Sequence, residues 1–218
     1  MEIIIEFVVV LFGVLCALSM NKINEKRNHS KRINNIMDIV VDNMTMDLEK
    51  IKRRIILLDA HSKIYNKFIE QKNPNDDILM ECEALPVSVP LFEITTRGYN
   101  LLKDARIDFE FKNSKLVTEI THFYKVWLIC IVKTQEEVLM DLAVKNTKHR
   151  SSFNWFHDVE INKNRSNQDF LEYLRTDDFK NRITYKYWVE ATVLRRYLSG
   201  YREGIERLLE KIEASDYK

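Results

Sequence analysis

Apolar positions along the chain fall into two regimes. Residues 3–20 are almost continuously apolar, interrupted only by Glu6, and residues 7–18 carry no charge. From residue 33 onward, apolar side chains recur at three- and four-residue steps: Ile33, Ile36, Met37, Val40, Met44, Leu48, Ile51, Ile55, Leu58, Tyr65 and Ile69. That spacing predicts one buried face of a long helix. Residues 21–72 contain neither Gly nor Pro. The pattern therefore predicts a single helix running out of the apolar segment until Asn73-Pro74-Asn75-Asp76-Asp77 ends it with turn chemistry.

The rest of the chain reads as further helices with polar joints. Residues 78–92 contain Pro86 and Pro90 and predict an extended connection. A short helix is expected over 93–105, with Tyr99, Leu101 and Leu102 inward, and a longer one over 115–144 after Asn113-Ser114. The apolar run from Trp127 to Val132 is too short to cross a bilayer and predicts a buried turn. Residues 145–168 are polar around Phe153, Trp155 and Phe156. A short helix over 167–175 and a last long one over 179–214 complete an all-α plan with no internal repeat. Asp216-Tyr217-Lys218 matches the start of a FLAG epitope tag and is set aside as a tag remnant.

Eighteen helical residues rise roughly 27 Å, enough for a thin hydrocarbon core. A cleaved signal peptide fits poorly, because the segment begins with Glu2 and is followed by Asn21-Lys22-Ile23-Asn24 rather than small residues. A buried soluble helix is the other alternative, and it would carry a polar stripe. Residues 21–32 hold Lys22, Lys26, Arg27, Lys31 and Arg32 against Glu25 alone. The positive-inside rule then predicts one inner-membrane pass, residues 1–20, with the N-terminus outside and residues 21–215 cytoplasmic. Glu6, Val9, Val10, Gly13, Cys16, Ala17 and Met20 share a helix face. Gly13 and Ala17 form a small-xxx-small pair suited to close helix packing in lipid. Glu6 either snorkels to the headgroups or contributes to an acidic ring at the mouth of an oligomeric pore, which could be tetrameric.

Composition narrows the rest. Net charge is +1, so nothing global attracts nucleic acid or anionic lipid. Four Gly and three Pro in 218 residues leave few turns and favour long helices. Cys16, Cys82 and Cys130 form neither a disulfide framework nor a zinc pattern. None of the five histidines makes an HxH or HxxxH pair, and no glycine-rich phosphate loop is present. Glu136-Glu137 and Asp76-Asp77 read as solvated pairs. No nucleophile with a base stands out, so neither an enzyme nor a cofactor is expected. The candidate ligand-binding cations are Lys52, Arg53 and Arg54 on the first helix and Arg195, Arg196 and Arg202 on the last, which also carries Arg207. The latter three lie near Tyr185, Tyr187, Trp188, Tyr197 and Tyr201, a combination suited to phosphate pairing and base stacking. The alternative is an ordinary solvated helix face.

Asn21-Lys22-Ile23-Asn24-Glu25-Lys26-Arg27, Tyr99-Asn100-Leu101-Leu102, Asn113-Ser114-Lys115-Leu116 and Phe123-Tyr124 give residues 1–125 a further meaning. This layout resembles a group of bacterial single-pass proteins of uncharacterised activity, with a short N-terminal membrane helix and an NxWNEKR-like exit. Ile23 stands where that exit has Trp. The whole-chain plan is similar to the membrane effector subunit of the Hailong anti-phage defence system. That resemblance implies a homo-oligomeric channel controlled by a nucleotide or DNA oligomer, made by a partner nucleotidyltransferase and bound to the cytoplasmic domain.

Overall fold

The structure is a computed structural model. It describes residues 2–71, 73–83, 85–86, 91–105 and 114–215, with side chains described from Leu11 onward. All regular structure among these residues is helical. The first helix, α1 (Glu2–Glu70), is unbroken over 69 residues, as the absence of Gly and Pro after residue 20 predicts. It is followed by α2 (Asp76–Cys82), α3 (Arg97–Asp104) and α4 (Ser114–Trp127). Two π-helical segments, Leu128–Val132 and Thr134–Met140, lead into α5 (Asp141–Arg150). Then come α6 (Phe156–Glu160), α7 (Gln168–Leu174) and α8 (Asp177–Tyr187). A third π-helical segment, Trp188–Leu194, leads into α9 (Arg195–Glu213).

The seam of α1 is more regular than its apolar residues alone reveal. Positions 33, 37, 40, 44, 47, 51, 54, 58, 61, 65 and 68 alternate four- and three-residue steps and face the bundle. Ile33, Met37, Val40, Met44, Ile51 and Leu58 are fully buried there, each stabilising the packing by about 1.5–3 kcal/mol. Partners come from α3, α4 and α9, forming one apolar cluster. A second cluster joins Tyr65 and Phe68 of α1 to α2, Trp155, Val159, α7 and α8.

The docking of α3 is specific. The backbone of Val40 comes within 2.9 Å of where a side chain at Gly98 would begin, so only glycine fits. The Gly98 N–H donates to Asn43 Oδ1 at 2.8 Å. One turn along, Asp47 is fully buried. Its carboxylate accepts from Thr95 N at 3.0 Å, Thr95 Oγ1 at 2.6 Å and Tyr201 Oη at 2.8 Å. A buried carboxylate is tolerable when its lone pairs are taken in this way.

Three expectations need correction. Residues 78–82 of the expected extended connection are helical, in a helix that starts at Asp76 within the expected turn, because Asn75 Oδ1 caps Ile78 N at 3.1 Å and Asp76 and Asp77 favour the helix start. The helix over 115–144 continues through Arg150 by way of the two π-helical segments. The 127–132 patch is only half buried, with Ile131 inside and Ile129 exposed. Among the described residues no helix is long and apolar enough to cross a membrane. The predicted span starts at residue 3, and its side chains are described only from Leu11.

Candidate functional site

The two apolar clusters meet at a group of buried charges. The α1 seam carries a polar residue at three successive heptad positions, Asp47, Arg54 and His61. Facing the latter two are Lys186 of α8, fully buried, and Glu190 of the third π-helical segment, 1% exposed. Glu190 Oε2 lies 3.1 Å from His61 Nδ1 and accepts from Tyr65 Oη at 3.3 Å. Lys186 Nζ is 3.6 Å from Glu190 Oε1, an ion pair too long for a hydrogen bond, and it donates to the Leu85 carbonyl. Glu190 Oε1 is buried with no hydrogen-bond donor among the described residues.

Arg54 completes the group. It is 8% exposed, yet its Nε and Nη2 find no acceptor among the described residues. Burial pulls its pKa down from the usual guanidinium range, with Glu190 opposing. Burial likewise lowers Lys186, again against Glu190. Burial first and Glu190 second push the Tyr65 phenol up. Two cations thus share one carboxylate inside the fold. Such a group is costly unless it serves a purpose, and π-helical turns recur where helices carry function.

The sequence-derived ligand residues do not form one patch. Lys52 pairs with Glu49 at 2.6 Å on an exposed face, Arg53 is exposed, and Arg54 points the other way, into the core. Arg195 pairs with Asp59 at 3.0 Å, Arg202 lies 3.9 Å from Glu206, and Arg196 is exposed. An aromatic-basic surface does exist, but α4 and α9 build it together. A cavity of about 260 Å³ between them is lined by His122, Phe123, Trp127, Arg207 and Lys211, with Lys211 ion-paired to Glu119. Phe123 also stacks on Tyr201, with ring centres 5.3 Å apart.

Of the sequence-derived pore face, Glu6 and Val9 lie outside the described side chains. Gly13, Cys16, Ala17 and Met20 are all exposed, and none of the described residues comes within 4 Å of where a side chain at Gly13 would begin. Among the described residues, no group of three or more His, Cys, Asp or Glu side chains could hold a metal ion. Asp47, His61, Lys186 and Glu190 were missed by a search for apolar spacing. The available signal was a polar residue standing where the four-three alternation demands an apolar one.

No family model, no curated protein and no solved structure matches this chain.

Proposed function

We propose that the chain is a single-pass membrane effector working as a homo-oligomer. Residues 1–20 anchor it in the plasma membrane with the N-terminus outside. Residues 21–215 lie in the cytoplasm, where a bound nucleotide or oligonucleotide sets whether the assembled anchors conduct ions. The observation that carries this reading is the course of α1. Leu11, Phe12, Val14, Leu15, Leu18 and Met20 point in every direction around the helix, and all are exposed. The same helix continues without a break to the buried Arg54 and the half-buried His61. Apolar surface uncovered on all sides fits lipid, whereas a single partner would cover one stripe. The basic residues from Lys22 to Arg32 follow at once, as the cytoplasmic side of a membrane helix requires. Open space around Gly13 allows the anchors of several copies to approach closely. The α4–α9 cavity, with its rings and cations, is where a base and a phosphate fit best. The anti-phage role rests on the resemblance in chain plan.

A second reading is a membrane-tethered scaffold with no pore. It is favoured by the surface cations that already have acidic neighbours, Lys52, Arg195 and Arg202. Membrane potential separates the two readings. A voltage-sensitive dye would be followed in bacteria expressing the full chain, the Glu6→Gln variant or a chain lacking residues 1–20. Depolarisation by the full chain, altered by Glu6→Gln and lost on truncation, is the result expected of a pore. If the full chain is silent even when no nucleic acid accompanies the purified protein, the scaffold reading stands instead.

A further inference from the structure

Large apolar side chains left uncovered outside α1 are not scattered. Among the described residues there are eight, and six of them fall on two neighbouring helices: Val126, Ile129, Met140, Val144, Tyr185 and Trp188. Only Leu91 and Ile161 belong to other elements. The first four lie on the continuous helix from Ser114 to Arg150. With Lys133 and Glu137 they form one row of exposed positions, 126, 129, 133, 137, 140 and 144, at three- and four-residue steps. The other side of this helix is the packed one, with Ile131, Gln135, Leu139 and Asn146 buried.

Tyr185 and Trp188 widen the row. α5 and α8 run antiparallel, held by Arg182 Nη1 donating to Asn146 Oδ1 at 2.9 Å and by His149 Nε2 lying 2.9 Å from Asp178. Continuing that register sets Tyr185 and Trp188 beside Val144 and Asp141. Their rings stack with centres 6.1 Å apart, and Trp188 is 51% and Val144 62% exposed.

A row with three- and four-residue steps is the seam of a helix pair, and a seam of this kind is completed by a second helix. The charges in it select the partner. Lys133 and Glu137 are opposite in sign and 3.8 Å apart, and beside the row Lys145 and Asp141 are paired at 2.7 Å. Such a row attracts neither a polyanion nor a polycation. It does suit a second copy of itself. Anchors in one membrane make the two helices run in the same direction, so Lys133 of one copy meets Glu137 of the other on both sides of a twofold axis. The area is sufficient in order of magnitude. Tyr185 and Trp188, each half exposed, offer roughly 150–250 Å². Four half-exposed aliphatic side chains bring the stripe near the apolar share of a standard interface of about 800 Å² per partner.

We infer, on the homo-oligomeric reading, that the stripe from Val126 to Val144, with Tyr185 and Trp188, pairs two copies of this chain. The pairing axis lies along the membrane normal, and the contact is separate from any contact between anchors.

The test exchanges the two charges of the row. Copy number of the full chain is followed by mass photometry during dilution in mild detergent. Lys133→Glu makes the row acidic, and Glu137→Lys makes it basic. Both positions are exposed, so both proteins should keep the parent's helix content. Each variant alone is expected to pair at least tenfold more weakly than the parent. Co-expressed with different tags, the two are expected to pair with each other about as well as parent copies do, because each supplies the charge the other lacks. Trp188→Ala should also weaken pairing about tenfold. Variants that stay weak together overturn the inference, because a contact between copies of this face requires the exchange to succeed. An oligomeric parent whose mass none of these changes alters overturns it too, and assigns the stripe to a different protein. A parent that is a monomer at every concentration removes the homo-oligomeric reading itself.

Discussion

Arg54 shows how much a single residue can reveal once its surroundings are known. In the sequence it is the third member of a basic triplet, indistinguishable from Lys52 and Arg53. In the fold it is turned into the core, with Nε and Nη2 lacking acceptors and Glu190 already engaged by His61, Tyr65 and Lys186. An unneeded buried cation costs stability, whereas removing the carboxylate opposite Arg54 and Lys186 takes away the negative charge that offsets their burial. Arg54→Met is therefore expected to leave the melting temperature unchanged or raise it. Glu190→Gln should destabilise by about 3–5 kcal/mol. Thermal unfolding of the two variants checks this asymmetry, and a large loss of stability in Arg54→Met would contradict it. A stabilised Arg54→Met that no longer depolarises cells would mark Arg54 as a residue kept for function at the expense of stability.

Among the helices, α1 is the one that joins regions. Its first part is uncovered, and from Ile33 it packs against both apolar clusters. On the proposed reading, α1 transmits a tilt or rotation of its packed end to its membrane end only while it is unbroken. Asn28 lies between the two parts and is exposed. Asn28→Pro removes one helical hydrogen bond and introduces a kink, at a local cost of about 3 kcal/mol. We expect the Asn28→Pro protein to fractionate with membranes and to keep the parent's cytoplasmic melting transition while losing depolarisation. Depolarisation equal to the parent's would show that α1 does not carry the signal. The third π-helical segment is the natural counterpart of this lever. It places Glu190 beside two cations, and a change of helical register there would turn the carboxylate away from His61 and Tyr65.

For the molecule as a whole, the question is assembly. On the proposed reading one copy cannot enclose a pore with one anchor helix, and none of the described residues comes within 4 Å of where a side chain at Gly13 would begin. Gly13→Leu adds bulk where close approach is proposed, without touching any contact of the bundle. The expected outcome is a smaller assembly, read as particle mass in lipid nanodiscs, with the melting temperature unchanged. An unaltered mass would place the contacts between copies in the cytoplasmic helices instead. The exposed, stacked pair Tyr185 and Trp188, 6.1 Å apart, is the first surface to substitute in that event.

Periodicity and the scarcity of Gly and Pro were sufficient to determine the all-α class, the unbroken α1, a short helix within the expected 93–105, which begins only at Arg97, and the long C-terminal helix. These follow from local physics, in which a 3.6-residue repeat and the absence of breakers act within one segment. The break between uncovered and packed parts of α1 was also legible, as the change from continuous to periodic apolar residues. Only the tertiary structure decided which polar residues are buried. Asp47, Arg54 and His61 look like solvent-facing residues until α9, the 91–96 segment and the third π-helical segment close over them. The aromatic-basic groove followed the same course. Phe123 and Trp127 meet Arg207 and Lys211 across more than eighty residues of chain, and a contact so distant leaves no spacing to read. Phe153 and Trp155 were visible only as a loose aromatic knot with Phe156, because Tyr173, which packs on both, comes from α7 folded back over them.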